Sequence, residues 1–425
     1  MPLLRPFRGI RYDPRRARLK DVVAPPYDVI SPEYQATLYA SHPHNIVRLI
    51  LGRESDRYAE AAGAFEAWQK EGVLVRDESP SFYLLHQRFR NEQGGMVTRK
   101  GFVGLCRLEE FDKKVILPHE KTLSKPREDR LKLFKATNAN FSQVFGLYSD
   151  PSRAIDKHLG VSAGHEPDVQ VSFENVENEV WMVNDPAAIQ EVVNGMKDKQ
   201  VLIADGHHRY ETALTYRDWK RSANDRHTGD ESYNYVMMFF TNLEDEGLVI
   251  YPTHRVVHSV REFEGRRFLK KLEALFSADT FDSLTGLQHA LREAGASAFG
   301  LALQEIEGFR LLRLKQNLAI EDLIPDDLPA EVKKLDVALL HHSVLRDMLG
   351  ISMDDQEKKL NIRYVQGIEQ AAGEVRSGRG QAAFLLNPTG IEQVRAVANG
   401  GYTMPQKSTF FYPKLLSGLV LNKMD

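Results

Sequence analysis

The sequence predicts an α/β protein, and three observations carry that assignment. Short runs rich in β-formers alternate with stretches of helical periodicity along most of the chain, as at residues 201–204 and 382–387, each followed by a helix-like stretch. The length of 425 residues, 42% of them hydrophobic, gives a prior of roughly two to four domains with ample core. The longest apolar runs, such as residues 235–240, are about six residues, against the ~20 that a spanning helix needs.

Composition narrows the class further. Charged residues at 27% beside 9% aromatics exclude a disordered or collagen-like chain. The 56 Lys+Arg against 59 Asp+Glu leave a formal charge of −3, which removes the strong pull toward nucleic acid or anionic membrane. A single cysteine, Cys106, forbids an internal disulfide and suits a reducing cytoplasm. The N-terminus places Arg5, Pro6, Arg8 and Arg11 before any apolar stretch, so no signal peptide is expected. The expectation is a soluble cytoplasmic protein, without a membrane partner.

Taken in order, the elements divide into three regions. Residues 1–108 read as an α+β region. Pro25 and Pro26 force an extended segment there, and Ser31-Pro32 is an N-cap and N1 pair for a helix to about Tyr39. Tyr58, Ala61, Phe65 and Trp68 recur at helical spacing before Gly72. Residues 81–90 and 98–107 flank Asn91-Glu-Gln-Gly94-Gly95, which predicts a hairpin.

Residues 109–258 read as a core. Strands are expected at 115–117, 141–147, 180–183, 200–204, 235–241 and 248–251, with helices at 125–135, after Asn184-Asp185-Pro186, and at 210–220. Residues 259–425 read as a C-terminal α/β lobe. It has helices at 262–276, 331–349, 368–376 and 390–398, and strands at 298–304, 309–314, 360–365 and 382–387. The 331–349 helix carries Leu335, Leu339, His342 and Leu345 or Leu349 along one stripe. Residues 401–416 hold too many Pro, Gly and hydroxyl residues for a regular element.

Several signatures fail. No G-x-x-x-x-G-K-[ST] phosphate loop is present, and Gly378-Arg-Gly380 lacks the third glycine of a dinucleotide fingerprint. His119-Glu120 begins a zinc-protease pattern, but Leu123 stands where the second histidine belongs. Gly160-Val-Ser162-Ala-Gly164 matches a nucleophile elbow in letters, without the preceding buried strand that the elbow needs. His42 and His44 straddle Pro43, and His341-His342 are adjacent; neither spacing converges on one ion, so both pairs read as structural.

One constellation carries more weight. In Val201-Leu-Ile-Ala-Asp205-Gly206-His207-His208-Arg209, an apolar strand ends in Asp-Gly and turns into a helix with His, His and Arg in its first turn. Helix-start N–H groups and the helix dipole favour an anion, and Gly206 lets a phosphate approach the backbone. Arg209 is suited to bracket phosphate oxygens, with His207 or His208 adding a donor. Asp205 would oppose a bare phosphate, so it reads as a magnesium ligand or as the orienter of a histidine. Pro118-His119-Glu120-Lys121-Thr122 is the second feature. It leaves a strand, precedes a basic run from Lys125 to Lys132, and offers Glu120 as a general base held near anions.

Together these two motifs resemble the ParB/sulfiredoxin-like superfamily, and more closely the free serine kinases, which carry P-H-E upstream of D-G-H-H-R. The C-terminal order of strand, helix and Pro405-Gln-Lys407-Ser408-Thr409 is similar to the kinase's strand–helix–P-K-T-T ending. The likeness covers about residues 110–255 and roughly the last 65, not the first hundred. Over its full length the chain resembles a bacterial family of unknown function sharing Pro-Pro-Tyr-Asp, Pro-His-Glu, Asp-Gly-His-His-Arg and Pro-Thr-His-Arg.

The resemblance implies a ParB/sulfiredoxin-like core at 109–258. It also implies phosphoryl transfer between ADP or ATP, with Mg2+, and free L-serine, so that O-phosphoserine is product or substrate. Glu120 would be the base, assisted by His119. Asp205, Gly206, His207, His208 and Arg209 would hold nucleotide phosphates and metal, and Lys407, Ser408 and Thr409 the transferred phosphate or the serine carboxylate. Phe410 stands where the kinase has an arginine, and His254-Arg255 would replace that cation. Tyr402 and residues 410–412 should pin the tail so that Lys407 meets the Asp205–Arg209 pocket. The rivals are phosphoserine hydrolysis in the same pocket, and a ParB-like nucleotide switch for partner or nucleic-acid binding. The overall charge and the lack of a basic helix-turn-helix make nucleic acid the weaker partner.

Overall fold

The expected hairpin forms, and the first sheet is organised around it. In the computed structural model, which describes residues 1–120, 124–325 and 327–424, Phe82–Arg90 and Met96–Arg107 pair antiparallel. Gly94 takes φ +82° in the turn, and the Asn91 side chain accepts from the Gly95 N–H at 2.8 Å. On its other edge Met96–Arg107 pairs with Tyr235–Asn242, so residues read as two separate regions share one sheet. The sheet has nine strands, in the order Ile116–Leu117, Val201–Asp205, Val144–Tyr148, Tyr235–Asn242, Met96–Arg107, Phe82–Arg90, Val176–Val183, Val169–Phe173, with Leu4–Arg5 also on Met96–Arg107.

Helices cover that sheet because each presents an apolar stripe. His207–Ser222 buries Tyr210, Ala213, Leu214 and Tyr216, while Pro186–Met196, capped by Asp185, buries Val192 and Met196. These side chains join Phe102, Tyr148, Phe240 and Ile203 in one core. A second cluster gathers Ile10, Trp68, Phe65, Phe141 and Leu421, tying the start and end of the chain together. Ser31 caps Pro32–Ser41 by accepting from the Tyr34 N–H at 3.2 Å.

Contacts group the chain into two units where the sequence divides into three. The first is Met1–Pro118, Thr122–Val249 and Pro413–Asp425; the second is His119–Lys121 with Ile250–Tyr412. The second unit has an antiparallel six-stranded sheet, ordered Phe276–Phe281, Phe309–Leu314, Ala298–Leu303, Ala382–Leu385, His254–Val257, Ile362–Val365. Leu284–Ala294 and Ile368–Arg376 bury Leu287, Leu291, Ala371 and Val375 against it. The chain is thus an α/β protein, with mixed pairing in the first sheet. Among the described residues no helix is long and apolar enough to cross a membrane.

Three elements differ from expectation. The helix predicted over 262–276 is confined to Gly265–Leu272, and Phe276–Phe281 becomes an edge strand on Phe309–Leu314. Phe410–Tyr412, inside the stretch read as irregular, pairs as a strand, and Tyr412 stacks on Tyr251 at 4.9 Å between ring centroids. The helix predicted over 331–349 breaks at Leu335, which is extended, and continues as Asp336–Leu339 and a π-helix, Leu340–Met348. Residues 337–345 are buried without interruption, so no solvent face holds the segment to a 3.6-residue stripe.

Asp336 is the polar residue that this break uses, and it accepts from the Ser297 N–H at 2.7 Å. Burial lifts its carboxyl to about 6 from an ordinary 3.8. The native state therefore keeps a proton that the unfolded chain releases between about pH 4 and 6, so Asp336 costs stability as pH rises through that window. Asp336→Asn keeps an acceptor and cannot ionise. It is expected to raise stability at pH 7, measured by urea denaturation, by at most about 3 kcal/mol, and to have little effect below pH 4.

Candidate functional site

In the first unit, the strand Val201–Asp205 delivers Asp205 to the start of a helix. Its pairing with Val144–Tyr148 slips between Ile203 and Asp205, a bulge that turns the strand end. Gly206 follows at φ +91°, and its carbonyl accepts the first helical bond from the Tyr210 N–H at 3.0 Å. A Cβ at 206 would lie 2.9 Å from the Arg209 Nε, so the turn admits no side chain on two counts. Gly206→Ala is accordingly expected to cost ~1–2 kcal/mol of stability in chemical denaturation.

Arg209 is tied into the protein. Its Nη2 donates to Asp205 Oδ2 at 2.6 Å and its Nη1 to the Gln143 carbonyl, with the side chain almost wholly buried. Lys414 reaches the other Asp205 oxygen at 2.8 Å. Asp205 was expected to hold magnesium or orient a histidine; in the structure its carboxylate lies between two cations and orients Arg209 and Lys414. Among the described residues no group of three or more His, Cys, Asp or Glu side chains could hold a metal ion. With its two oxygens engaged by Arg209 and Lys414, the Asp205 carboxylate does not fit a magnesium ligand. His207 is buried and His208 half-buried in the helix's first turn.

Sequence reasoning missed Arg99 and Lys414. Arg99 is fully buried, donates to Gln87 and to the Pro413 carbonyl at 2.6 Å, and packs its guanidinium 4.7 Å from the Phe145 ring centroid. Gln87 is its register partner and in turn donates to its own partner Asn178 at 2.8 Å, forming a polar row across three strands. Burial pulls Arg99 down to about 9, with Asp245 and Asp205 acting against that shift. The signal was present: strand alternation puts Arg99 on the face of Gly101 and Val103, an apolar position.

In the second unit, two motifs distant in sequence come together. The Met404 N–H donates to the His119 carbonyl at 2.8 Å, and Glu120 bridges Met404 in parallel register. Buried His119 places Nε2 3.1 Å from Thr409 Oγ1. Lys121, Thr122 and Leu123, the rest of that motif, lie outside the described residues, as do the side chains of Lys125 and Ser162. Lys407 is left-handed at φ +57°, and its carbonyl accepts from Arg255 Nη2 at 3.1 Å. Ser408 donates to the Pro405 carbonyl at 2.5 Å, and its own carbonyl accepts from Thr389 at 2.8 Å.

Arg255 is the centre of this cluster. It is fully buried, donates through Nε to His341 Nε2 at 3.2 Å and through Nη1 to the Thr253 carbonyl, and lies over the Tyr364 ring. Burial pulls it down to about 10, while Tyr364 and Glu120 favour its charge. His254 is neutral: burial drives it down to about 3, and its Nδ1 accepts from the Leu386 N–H at 3.2 Å. Thus Glu120, His119, Arg255, Lys407 and Thr409 belong to one unit, whereas residues 205–209 belong to the other. The elbow-like Gly160–Gly164 letters follow a helix, Ala154–Gly160, with no strand entering them.

Comparison with solved structures returns low-similarity matches. A conserved hypothetical protein from Pyrococcus furiosus is 14% identical, with a TM-score of 0.33 over 70% of this chain and 87% of that one. A free serine kinase in complex with AMP is 13% identical, with a TM-score of 0.33 over 70% and 83%. SbnI from Staphylococcus aureus, C-terminally truncated, is 10% identical, with a TM-score of 0.34 over 74% and 85%. No curated relative matches by sequence. The family described as "Protein of unknown function (DUF1015)" matches residues 4–338, and the chain belongs to that family.

Proposed function

We propose that this protein is a phosphotransferase that moves a phosphoryl group between a nucleotide, ADP or ATP, and the hydroxyl of free L-serine. The observation that supports it most is the convergence of Glu120 and His119 with Thr409, Arg255 and Lys407 in the second unit. A carboxylate, a hydroxyl and two cations in one cluster are the groups that such a transfer needs. The motif likeness of Pro118-His-Glu120 and Asp205–Arg209 to the free serine kinases points the same way, and carries with it a ParB/sulfiredoxin-like core over 109–258.

In this reading Glu120 takes the proton as the serine oxygen bonds to phosphorus and the bond to the nucleotide's bridging oxygen breaks. Arg255 holds the Lys407 carbonyl and so shapes the turn that presents the Lys407 ammonium. The His119–Thr409 pair orients the Thr409 hydroxyl toward an anion. Separately, in the first unit, the helix start after Gly206, with Lys414 and Arg209 steadied by Asp205, offers positive potential for an anion such as phosphate. No step is assigned to a protein-held metal.

The test is consumption of nucleotide by the purified full chain, followed by chromatography with and without L-serine. Serine-dependent conversion of ADP to AMP, or ATP to ADP, supports the reading. Phosphoserine hydrolysis without nucleotide would replace it with a phosphatase. Nucleotide binding without turnover, coupled to salt-sensitive DNA retention, would replace it with a ParB-like switch.

A further inference from the structure

The second unit holds a cavity of about 470 Å3 that the mechanism above leaves unused. Its wall includes Met404, whose backbone bridges Glu120, and Tyr364, which stacks on Arg255. We propose that this cavity is a binding subsite for a purine nucleoside. It depends on the proposed function only for the further claim that the nucleoside is that of the phosphoryl donor.

Size argues first. At ~30 Å3 per water the cavity has room for about sixteen waters, within the range of ligand sites and far more than serine fills. A purine nucleoside, with about twenty non-hydrogen atoms, matches it.

Charge argues next. Among the described residues no lysine or arginine lines the cavity, so a phosphate or free carboxylate has no counter-ion there. The lining offers acceptors and neutral donors. Glu357 contributes a carboxylate, and Gln356, 2% exposed, donates to the His341 and Ile351 carbonyls, which leaves its Oε1 as an acceptor. A base with exocyclic or ring N–H groups satisfies such acceptors.

Donors complete the set. His341 Nε2 accepts from Arg255, and His342 Nδ1 lies 3.2 Å from the Arg346 guanidinium, so each neutral ring carries its proton on the other nitrogen. Burial keeps both rings neutral. Ring nitrogens of a purine accept from such N–H groups, and Tyr364 and half-exposed Tyr402 supply aromatic surface for the base. Both histidines stand on the π-helix, a geometry found frequently at functional sites.

The experiment is calorimetric titration of the full chain with adenosine, guanosine, uridine and inorganic phosphate. Val332→Trp, which fills the cavity wall, and Tyr402→Ala, at an exposed site that folding tolerates, are the variants. Adenosine or guanosine should bind, uridine at least tenfold more weakly, with the purine lost in Val332→Trp and weakened severalfold in Tyr402→Ala. Absence of purine binding at millimolar concentration, or binding untouched by both variants, overturns the proposal. If serine is never phosphorylated but purine binding stays variant-sensitive, the subsite stands and the phosphotransferase falls. If both variants phosphorylate serine with unchanged nucleotide KM, the claim that this nucleoside is the phosphoryl donor's falls.

Discussion

Glu120→Gln is expected to lower serine phosphorylation by ~10²–10⁴-fold while leaving nucleotide affinity nearly unchanged. The substitution keeps the shape of the side chain and the backbone bridge to Met404, and removes only the group that takes the proton. It also removes a negative charge from the surroundings of Arg255 and Tyr364, so its control is the denaturation midpoint. If Glu120 served only as a partly exposed ion-pair partner, the change would be worth ~0–1 kcal/mol of stability and nothing in turnover. Single-turnover rates in wild type and variant separate the two. Turnover within a few-fold of wild type excludes Glu120 from catalysis.

Arg209→Ala is expected to act twice. Removing the guanidinium strips Asp205 of one cation and leaves the Gln143 carbonyl without that donor. We expect a loss of ~2–4 kcal/mol of stability in urea, toward the low end for a broken buried pair because Asp205 keeps Lys414. A further ~1.5–3 kcal/mol should be lost from nucleotide or phosphate affinity, the range of charge-assisted hydrogen bonds. Arg209→Lys should recover little, because an ammonium cannot span Asp205 and the Gln143 carbonyl at once. Asp205→Asn/Arg209→Ala should be more stable than the sum of the single losses implies, since the pair is coupled. Unchanged nucleotide binding in a folded Arg209→Ala protein would make the Asp205–Arg209 contact structural only.

How much of this was legible depended on the range of the interactions. Asp205, Gly206 and the helix after them are local: a strand, a residue needing positive φ, and a helix start are written in consecutive letters. The 81–107 hairpin and the Ser31 and Asp185 caps are legible for the same reason. Which residues meet Asp205 was not legible. Lys414 lies 209 positions away and in the irregular tail, and Arg99 reads as a strand residue until its row with Gln87 and Asn178 is seen. The division of the candidate residues between the two units was hidden as well, because the chain leaves the first unit for His119 and Glu120 and then returns. The 331–349 segment is helical apart from its break at Leu335, and its π turn was hidden for a different reason: burial on every side leaves no solvent face to mark the change of period, and Asp336 serves Ser297.

The central claim is that a phosphoryl group reaches the serine hydroxyl, and phosphorus NMR of the reaction tests it most directly. Full-length protein would be incubated with magnesium, L-serine and either ADP or ATP. The account predicts a phosphoserine resonance that grows as the donor's terminal phosphate declines, depends on serine, and is absent in Glu120→Gln over the same interval. No phosphoserine with either donor, while the nucleotide stays intact or releases free phosphate regardless of serine, would contradict it.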